Sequence, residues 1–391
     1  MPWWFIVPKI AFGDDALDEL TELKGKKAFI VTDPNINKMG LPEQICDLLV
    51  GGQWEAAIWD RAEPDPRVSV VKAAAKAMRH FGPDWIVAVG GGSVIDTAKA
   101  AWILYENPDV DLAAVTPLEP LDLRNKSHLL CIPTTAGTGS EATKAVVIRE
   151  DETGRKFATN NNDLVPDVAI LDPALVSDLP KDLTAYTGLD ALTHAIEAYT
   201  SRWNNDYSDA CAIQSVRMVF EWLPRSVASL GDEQAREKML IAANLAGMAF
   251  SNSQVCLAHS LGHCMGSVLE IHHGMAVGIA LPYTIEYNSF ESPDTAEMYA
   301  ELAGFIGVRE KDNRASSLAL AREIRELQEQ VGAPTNLREA GVDRDMLEEG
   351  LDKLVEFTMM DSSITMNPRD IDSKGIRLMY RYMHEGKSID F

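Results

Sequence analysis

Several things are missing from this chain, and each absence narrows what it can be. The opening Met1-Pro-Trp-Trp-Phe-Ile-Val-Pro-Lys9 has no basic leader followed by a long apolar core, so a signal peptide is not expected and a first β-strand over Trp3–Val7 is. No segment reaches the roughly 20 uninterrupted apolar residues that a membrane helix needs, and a membrane is not expected as a partner. The five cysteines (Cys46, Cys131, Cys211, Cys256, Cys264) form no CxxC pair, which fits reduced thiols in a cytoplasm. Basic residues are scarce. Against 59 Asp and Glu stand 36 Lys and Arg, a net charge of −23 that disfavours nucleic acid, since such partners demand a basic face.

What is present reads as two globular domains in 391 residues. Up to about residue 180, short β-rich runs alternate with helical stretches: strands at 27–33, 55–59, 84–89, 129–133, 144–149 and 167–171, with helices near 41–50 and 67–81. This is the rhythm of a mostly parallel, Rossmann-like α/β sheet. From Asp182 onward, long amphipathic runs (206–223, 233–250, 313–331, 343–357) take over and the chain reads as all-helical. The expected division is therefore 1–180 and 181–391.

Two glycine-rich turns lie in the first half. Gly90-Gly-Gly-Ser93 sits between an apolar strand and a helix, where glycines let a phosphate approach the backbone and free helix N–H groups can donate to it. The second, Pro133-Thr-Thr-Ala-Gly-Thr-Gly-Ser-Glu141, carries hydroxyls at Thr134, Thr135, Thr138 and Ser140 suited to a polar ligand such as a nucleotide. Asp33 ends the first core strand. It can accept from an adenosine ribose and would repel a 2′-phosphate, favouring NAD over NADP, or it can simply cap a helix. Lys156, beyond a polar turn, could reach a ribose or phosphate.

The second half carries a metal-like constellation. Asp190 and His194 stand four apart at helical spacing, His259 and His263 repeat that step, and His273 follows after a break. Four or five ligands could converge, and one carboxylate with neutral imidazoles suits iron(II) or zinc better than calcium or magnesium.

These motifs, with Gly188-Leu-Asp-Ala-Leu-Thr-His194 and the stretch from His259 to Gly274, resemble the signatures of the iron-containing (group III) alcohol dehydrogenases over nearly the whole chain. The resemblance implies an N-terminal nucleotide-binding domain, a helical metal-binding and catalytic domain, and NAD(P) in the cleft between them. It implies metal ligands at Asp190, His194, His259 and His273, and sets His263 beside the metal without ligating it. Phosphate contacts carry over to Gly91, Gly92 and Ser93, with Asp96 of the same motif among the cofactor residues. Nucleotide contacts carry over to Thr134, Thr138 and Thr143, and a ribose or adenine contact to Lys156. Phe250 falls where the family has an aromatic wall of the substrate pocket. The chain departs from the pattern twice: Asp65 and Ala145 stand where diol-specific members have asparagine, which weakens a nucleotide contact at the first and a vicinal-diol substrate at the second.

The expected chemistry is reversible, NAD-dependent oxidation of a small primary alcohol to an aldehyde, with Fe²⁺ or Zn²⁺ binding the alcohol oxygen as a Lewis acid. His263 is the candidate proton shuttle, with a packing role as its alternative. Substrate preference should depend on Phe250, Ala145 and the segment 361–369. One rival is a dehydroquinate-synthase-like or glycerol-dehydrogenase-like zinc and NAD enzyme acting on a polyol or sugar phosphate; the apolar residues around the histidines argue against the phosphate. Another is a non-catalytic metal- or nucleotide-sensing protein. If exposed, the apolar strand near the N-terminus would be an open edge, so a homodimer is expected.

Overall fold

The computed structural model describes residues 4–290 and 292–391. By its internal contacts the chain divides into two compact units, Met1–Ser177 and Asp178–Phe391.

The first unit contains β1 (Lys9–Phe12), β2 (Lys27–Val31), α1 (Pro34–Lys38), α2 (Leu41–Gly51), β3 (Glu55–Trp59), α3 (Val68–Phe81), β4 (Trp85–Gly90), α4 (Gly92–Glu106), β5 (His128–Pro133), β6 (Ala145–Arg149), β7 (Lys156–Asn160) and β8 (Val168–Leu171). Six strands form one sheet in the order β1-β8-β5-β4-β2-β3, every pairing parallel. Alternation along each strand explains the layering. Phe29, Val31, Ile86, Ala88, Leu129 and Cys131 point to a face covered by α3 and α4. Ala28, Ile30, Val87, Val89, Leu130 and Ile132 point to the opposite face, covered by α2. With both faces buried, β2 and β4 read as continuous apolar runs rather than alternating ones.

Two sequence expectations are corrected here. Residues 4–8 form no strand; β1 starts after Pro8, which has no N–H to donate, when Lys9 N–H reaches the Asp167 carbonyl at 3.1 Å. Trp3, the start of the expected strand, lies outside the described residues. Beyond the turn at 150–154, β7 was not foreseen. It pairs antiparallel with β6, with Lys156 opposite Arg149. Its short sequence Lys-Phe-Ala-Thr-Asn has little apolar alternation to signal a strand.

The second unit is helical throughout its described residues: α5 (Lys181–Thr200), α6 (Asp206–Ala228), α7 (Glu233–Ser253), α8 (Leu257–Val268), α9 (His273–Asn288), α10 (Pro293–Phe305), α11 (Asn313–Gln330), α12 (Arg344–Met360) and α13 (Ser373–Glu385). α5 is the central helix, buried nearly all round from Thr184 to Thr200 and packed by α6, α7 and α9. α7 and α8 meet at 107°, with Gln254 at φ 82° in the break. That bend turns the start of α8 onto α5. Among the described residues no single helix is long and apolar enough to cross a membrane.

Candidate functional site

On α5, the spacing of Asp190, His194 and Glu197 puts all three on one face. α8 supplies His259 and His263 one turn apart, and α9 begins at His273. Gly274 makes this convergence possible, because a Cβ there would fall 2.3 Å from the Tyr186 carbonyl oxygen and push α9 off α5.

Around Asp190 Oδ1 the imidazoles close in: His259 Nε2 and His273 Nε2 at 3.6 Å and His194 Nδ1 at 3.7 Å. Single atoms of Asp190, His259 and His273 all lie within 4.8 Å of one another, spacing that fits one ion among them. Asp190 and His259 are buried, and neither Asp190 Oδ1 nor His259 Nε2 makes a hydrogen bond. Buried polar atoms left so are costly unless a ligand satisfies them, and the donor set of one carboxylate and imidazoles suits a borderline divalent metal. Burial alone would raise the Asp190 pKa, but His194, His273 and His259 hold it below the usual carboxylate range. In the metal-free protein burial opposes protonation of His259, yet Asp190 and Glu197 together lift its pKa to about 9.

The rings stack. His194 lies between Phe250 (centroids 4.2 Å apart) and His259 (4.4 Å), and His263 stacks on His273 at 5.4 Å. Phe250 is thus placed against the imidazole cluster from α7.

Two carboxylates behind these rings escaped sequence reasoning as partners. Glu197 Oε2 sits 2.6 Å from His259 Nδ1, and Glu197 also accepts the backbone N–H of Cys256 (2.9 Å) and Ala258 (2.5 Å) at the start of α8. Because a carboxylate only accepts, Nδ1 is the donor and Nε2 is left to face Asp190. The signal was available: Glu197 is three residues beyond His194 on the same face. Asp361, read from the sequence only as part of a pocket-lining segment, stands with Oδ2 2.9 Å from His263 Nδ1 while its other oxygen accepts from Ser260 Oγ and Ser363 N–H. Burial pushes its pKa up, but His263 and Ser363 hold it well below the usual range. It lies 98 residues from His263, a separation no local pattern reveals. His272, by contrast, turns onto the Tyr186 ring at 5.5 Å.

In the first unit the two glycine-rich turns interlock. Gly91 caps α4 and Gly92 opens it; a Cβ on Gly92 would lie 2.8 Å from Thr138 Cγ2, and one on Gly91 3.3 Å from Thr135 Cγ2. The helix start therefore presents bare backbone N–H groups, and Thr135 Oγ1 beside it is buried with no hydrogen-bond partner, which fits an anionic ligand such as a nucleotide phosphate. Ser93 Oγ accepts from Asp65 N–H at 3.4 Å, and Asp65 pairs with Lys156 at 2.6 Å, bringing three of the sequence candidates together. Asp33 follows Thr32, whose hydroxyl bonds the Val89 carbonyl just before the first glycine turn. Its own Oδ1 caps α1, accepting from Asn35 and Ile36 N–H. Thr134 is buried, its N–H donating to the Gly90 carbonyl. Asp96 and Thr143 turn inward: Asp96 accepts from Val147 N–H at 3.0 Å, and the Thr143 hydroxyl accepts from Lys99 at 3.0 Å. Ala145 opens β6.

A parallel sheet with glycine turns at its strand ends, followed by a helical unit bearing a carboxylate and imidazoles, is the arrangement of metal- and nicotinamide-dependent dehydrogenases. The chain belongs to the iron-containing alcohol dehydrogenase family, and is an oxidoreductase. Residues 8–173 match the pattern described as iron-containing alcohol dehydrogenase, and residues 184–383 that of the Fe-containing alcohol dehydrogenase family, C-terminal. It is 37% identical to the NADPH-dependent butanol dehydrogenase of Clostridium saccharobutylicum, covering 99% of each chain, and 35% identical to alcohol dehydrogenase 4 of Saccharomyces cerevisiae, covering 93% of this chain and 94% of that one. It spans less than half the length of bifunctional aldehyde-alcohol dehydrogenases such as that of Escherichia coli (42%). Among solved structures it is similar to the iron-containing alcohol dehydrogenase of Thermococcus thioreducens, with a TM-score of 0.90 at 32% identity over 99% of this chain and 100% of that one. The alcohol dehydrogenase of Oenococcus oeni gives 0.91 at 32%, over 98% and 100%.

Proposed function

We propose that this protein transfers hydride reversibly between a small primary alcohol, or its aldehyde, and NAD(H), using a divalent metal held by Asp190, His194, His259 and His273. The observation that carries the reading is the buried Asp190 carboxylate ringed by three imidazoles, with Oδ1 and His259 Nε2 lacking hydrogen bonds. When bound, a divalent ion there supplies Lewis acidity toward the alcohol or carbonyl oxygen, and the nicotinamide accepts or returns hydride. The remaining work belongs to the chain. Asp190 contributes the one negative charge, and Glu197 sets the tautomer of His259. Asp361 holds His263 by Nδ1, leaving Nε2 to take the hydroxyl proton. Buried Leu257, Ala258 and Leu261 anchor α8 in the apolar core and so fix the helix that carries His259 and His263.

NAD is favoured because Asp33 sets an acidic side chain at the end of β2, where a 2′-phosphate would be repelled. The butanol dehydrogenase relative is NADPH-dependent by name, so the choice needs a direct test. Initial rates over a panel of alcohols and aldehydes with NAD and NADP, after reconstitution with iron(II) or zinc separately, provide it. Turnover with neither metal, or only with NADP, would overturn the corresponding part. Homodimerisation through the open edge of β1, where Phe12 is exposed, and a cytoplasmic location consistent with five free cysteines complete the proposal. A monomer on size-exclusion chromatography with light scattering would remove the dimer.

A further inference from the structure

Lys99 is fully buried on α4, an unusual place for a lysine. Its Nζ reaches the carbonyl oxygens of Ser140 (2.7 Å), Thr143 (2.6 Å) and Ala145 (3.3 Å) and the Thr143 hydroxyl (3.0 Å). All four acceptors are neutral, and all belong to the end of the second glycine-rich turn and the start of β6. An ammonium so placed has given up its hydration for a cage of oxygens, much as an alkali cation would. Burial pulls its pKa below that of an ordinary lysine, with Asp96 and Glu141 opposing. One helical turn earlier on the same face, Asp96 grips the same segment, taking the Val147 N–H at 3.0 Å and the Ser140 hydroxyl at 3.5 Å. The stretch 140–147 is thereby fastened to α4 twice. Between this clamp and Pro133 at the end of β5 lies the short arc carrying Thr134, Thr135 and Thr138, whose last two side chains rest on Gly91 and Gly92.

We propose that Lys99 is a positioning residue for nucleotide binding, its caged ammonium holding the hydroxyl-rich turn against the first turn of α4. The proposal rests on the reading of these turns as the nucleotide's seat. Lys99 itself touches no ligand. Released from it, three carbonyls would lose their charged donor, those of Ser140 and Ala145 keeping only bonds from Thr143, the arc would drift from the helix start, and the nucleotide would have to order it on binding.

The test compares the full-length wild-type and Lys99→Met proteins by calorimetric titration with NAD and, separately, with zinc. Lys99→Met is expected to bind NAD about tenfold more weakly or worse. Zinc affinity and the KM for alcohol should hold while the KM for NAD rises. Unchanged NAD affinity in a folded Lys99→Met protein would overturn the proposal. A wild-type protein that does not bind NAD would instead overturn the parent reading. Should Lys99→Met fail to fold, hydrogen exchange of the wild type decides: the amides of Ala142 and Thr143, bonded to the carbonyls of Gly139 and Ser140, should be protected before NAD is added. Exchange at the free-chain rate would end the argument.

Discussion

The two units assemble their ligand-facing groups from opposite materials. In the helical unit long side chains from α5, α8 and α9 reach inward to one point, and each imidazole nitrogen not facing that point is held by a carboxylate where Glu197 and Asp361 stand behind it. In the α/β unit the surface at the glycine turns is mostly backbone and small hydroxyls, and the charged groups Asp96 and Lys99 are buried beside it, bonded to the segment that follows the second turn. The difference teaches where a charge can be afforded: beside an ion it can face the ligand, whereas under a phosphate-type cradle it serves best by holding the backbone still.

Breaking the metal side first should give the largest effect. Asp190→Ala leaves imidazoles without their shared carboxylate, and metal affinity, measured by chelator competition, should fall by about 100- to 1,000-fold, the scale of an unpartnered buried charge. Retained affinity would remove Asp190 from the ligand set. His263→Ala should lower turnover by about 100-fold, the low end for general acid–base catalysis, while metal content stays full. An unchanged kcat across pH would remove the proton role and leave the ion site standing. Glu197→Gln tests whether the hidden carboxylate matters as much as the visible one: an amide can donate to Nδ1 and favour the wrong tautomer, so metal affinity should drop by about 10- to 100-fold. No change there would make Glu197 merely a cap for α8.

The α/β unit offers the smallest and most distinctive readout. Burial raises the Asp96 pKa to about 6, although Lys99, the Val147 N–H and the Ser140 hydroxyl oppose it. A carboxyl whose folded pKa lies above its unfolded value near 4 binds its proton more tightly when folded, so its contribution to stability is greatest below pH 4 and is lost as the pH rises through about 6. Asp96→Asn should therefore flatten that part of the stability profile and stabilise the unit at pH 7 by on the order of 1 kcal/mol. Denaturant melts at several pH values, followed by the tryptophans of this unit, check it. A slope of the opposite sign would mean that the ionised Asp96 is the form the clamp needs.

Side-chain spacing made the helical cluster legible in advance, because a four-residue step on a helix aims two groups in one direction whatever they later meet. Most strands were equally plain, since a sheet covered on both faces leaves unbroken apolar runs. The register of β1 was not, because an apolar run says nothing about which residues find a partner strand, and Pro8 delays pairing until Lys9. Nor was β7, which exists because β6 offers it a ladder. Asp33 illustrates a residue with two readings that local sequence could not separate, since a helix cap and a ribose acceptor need the same carboxylate at the same strand end.

From its amino-acid order alone this protein had already settled its alternation of strand and helix, its glycine turns and the acid–imidazole steps on α5 and α8, since those follow from periodicity and backbone freedom over a few residues. Only the tertiary structure decided that Glu197 would orient His259, that Asp361 would cross 98 positions to hold His263, and that Lys99 would be walled in by carbonyls. The reason is physical: a buried charge takes whatever partner the packing delivers, and packing is a property of the whole fold rather than of any short stretch.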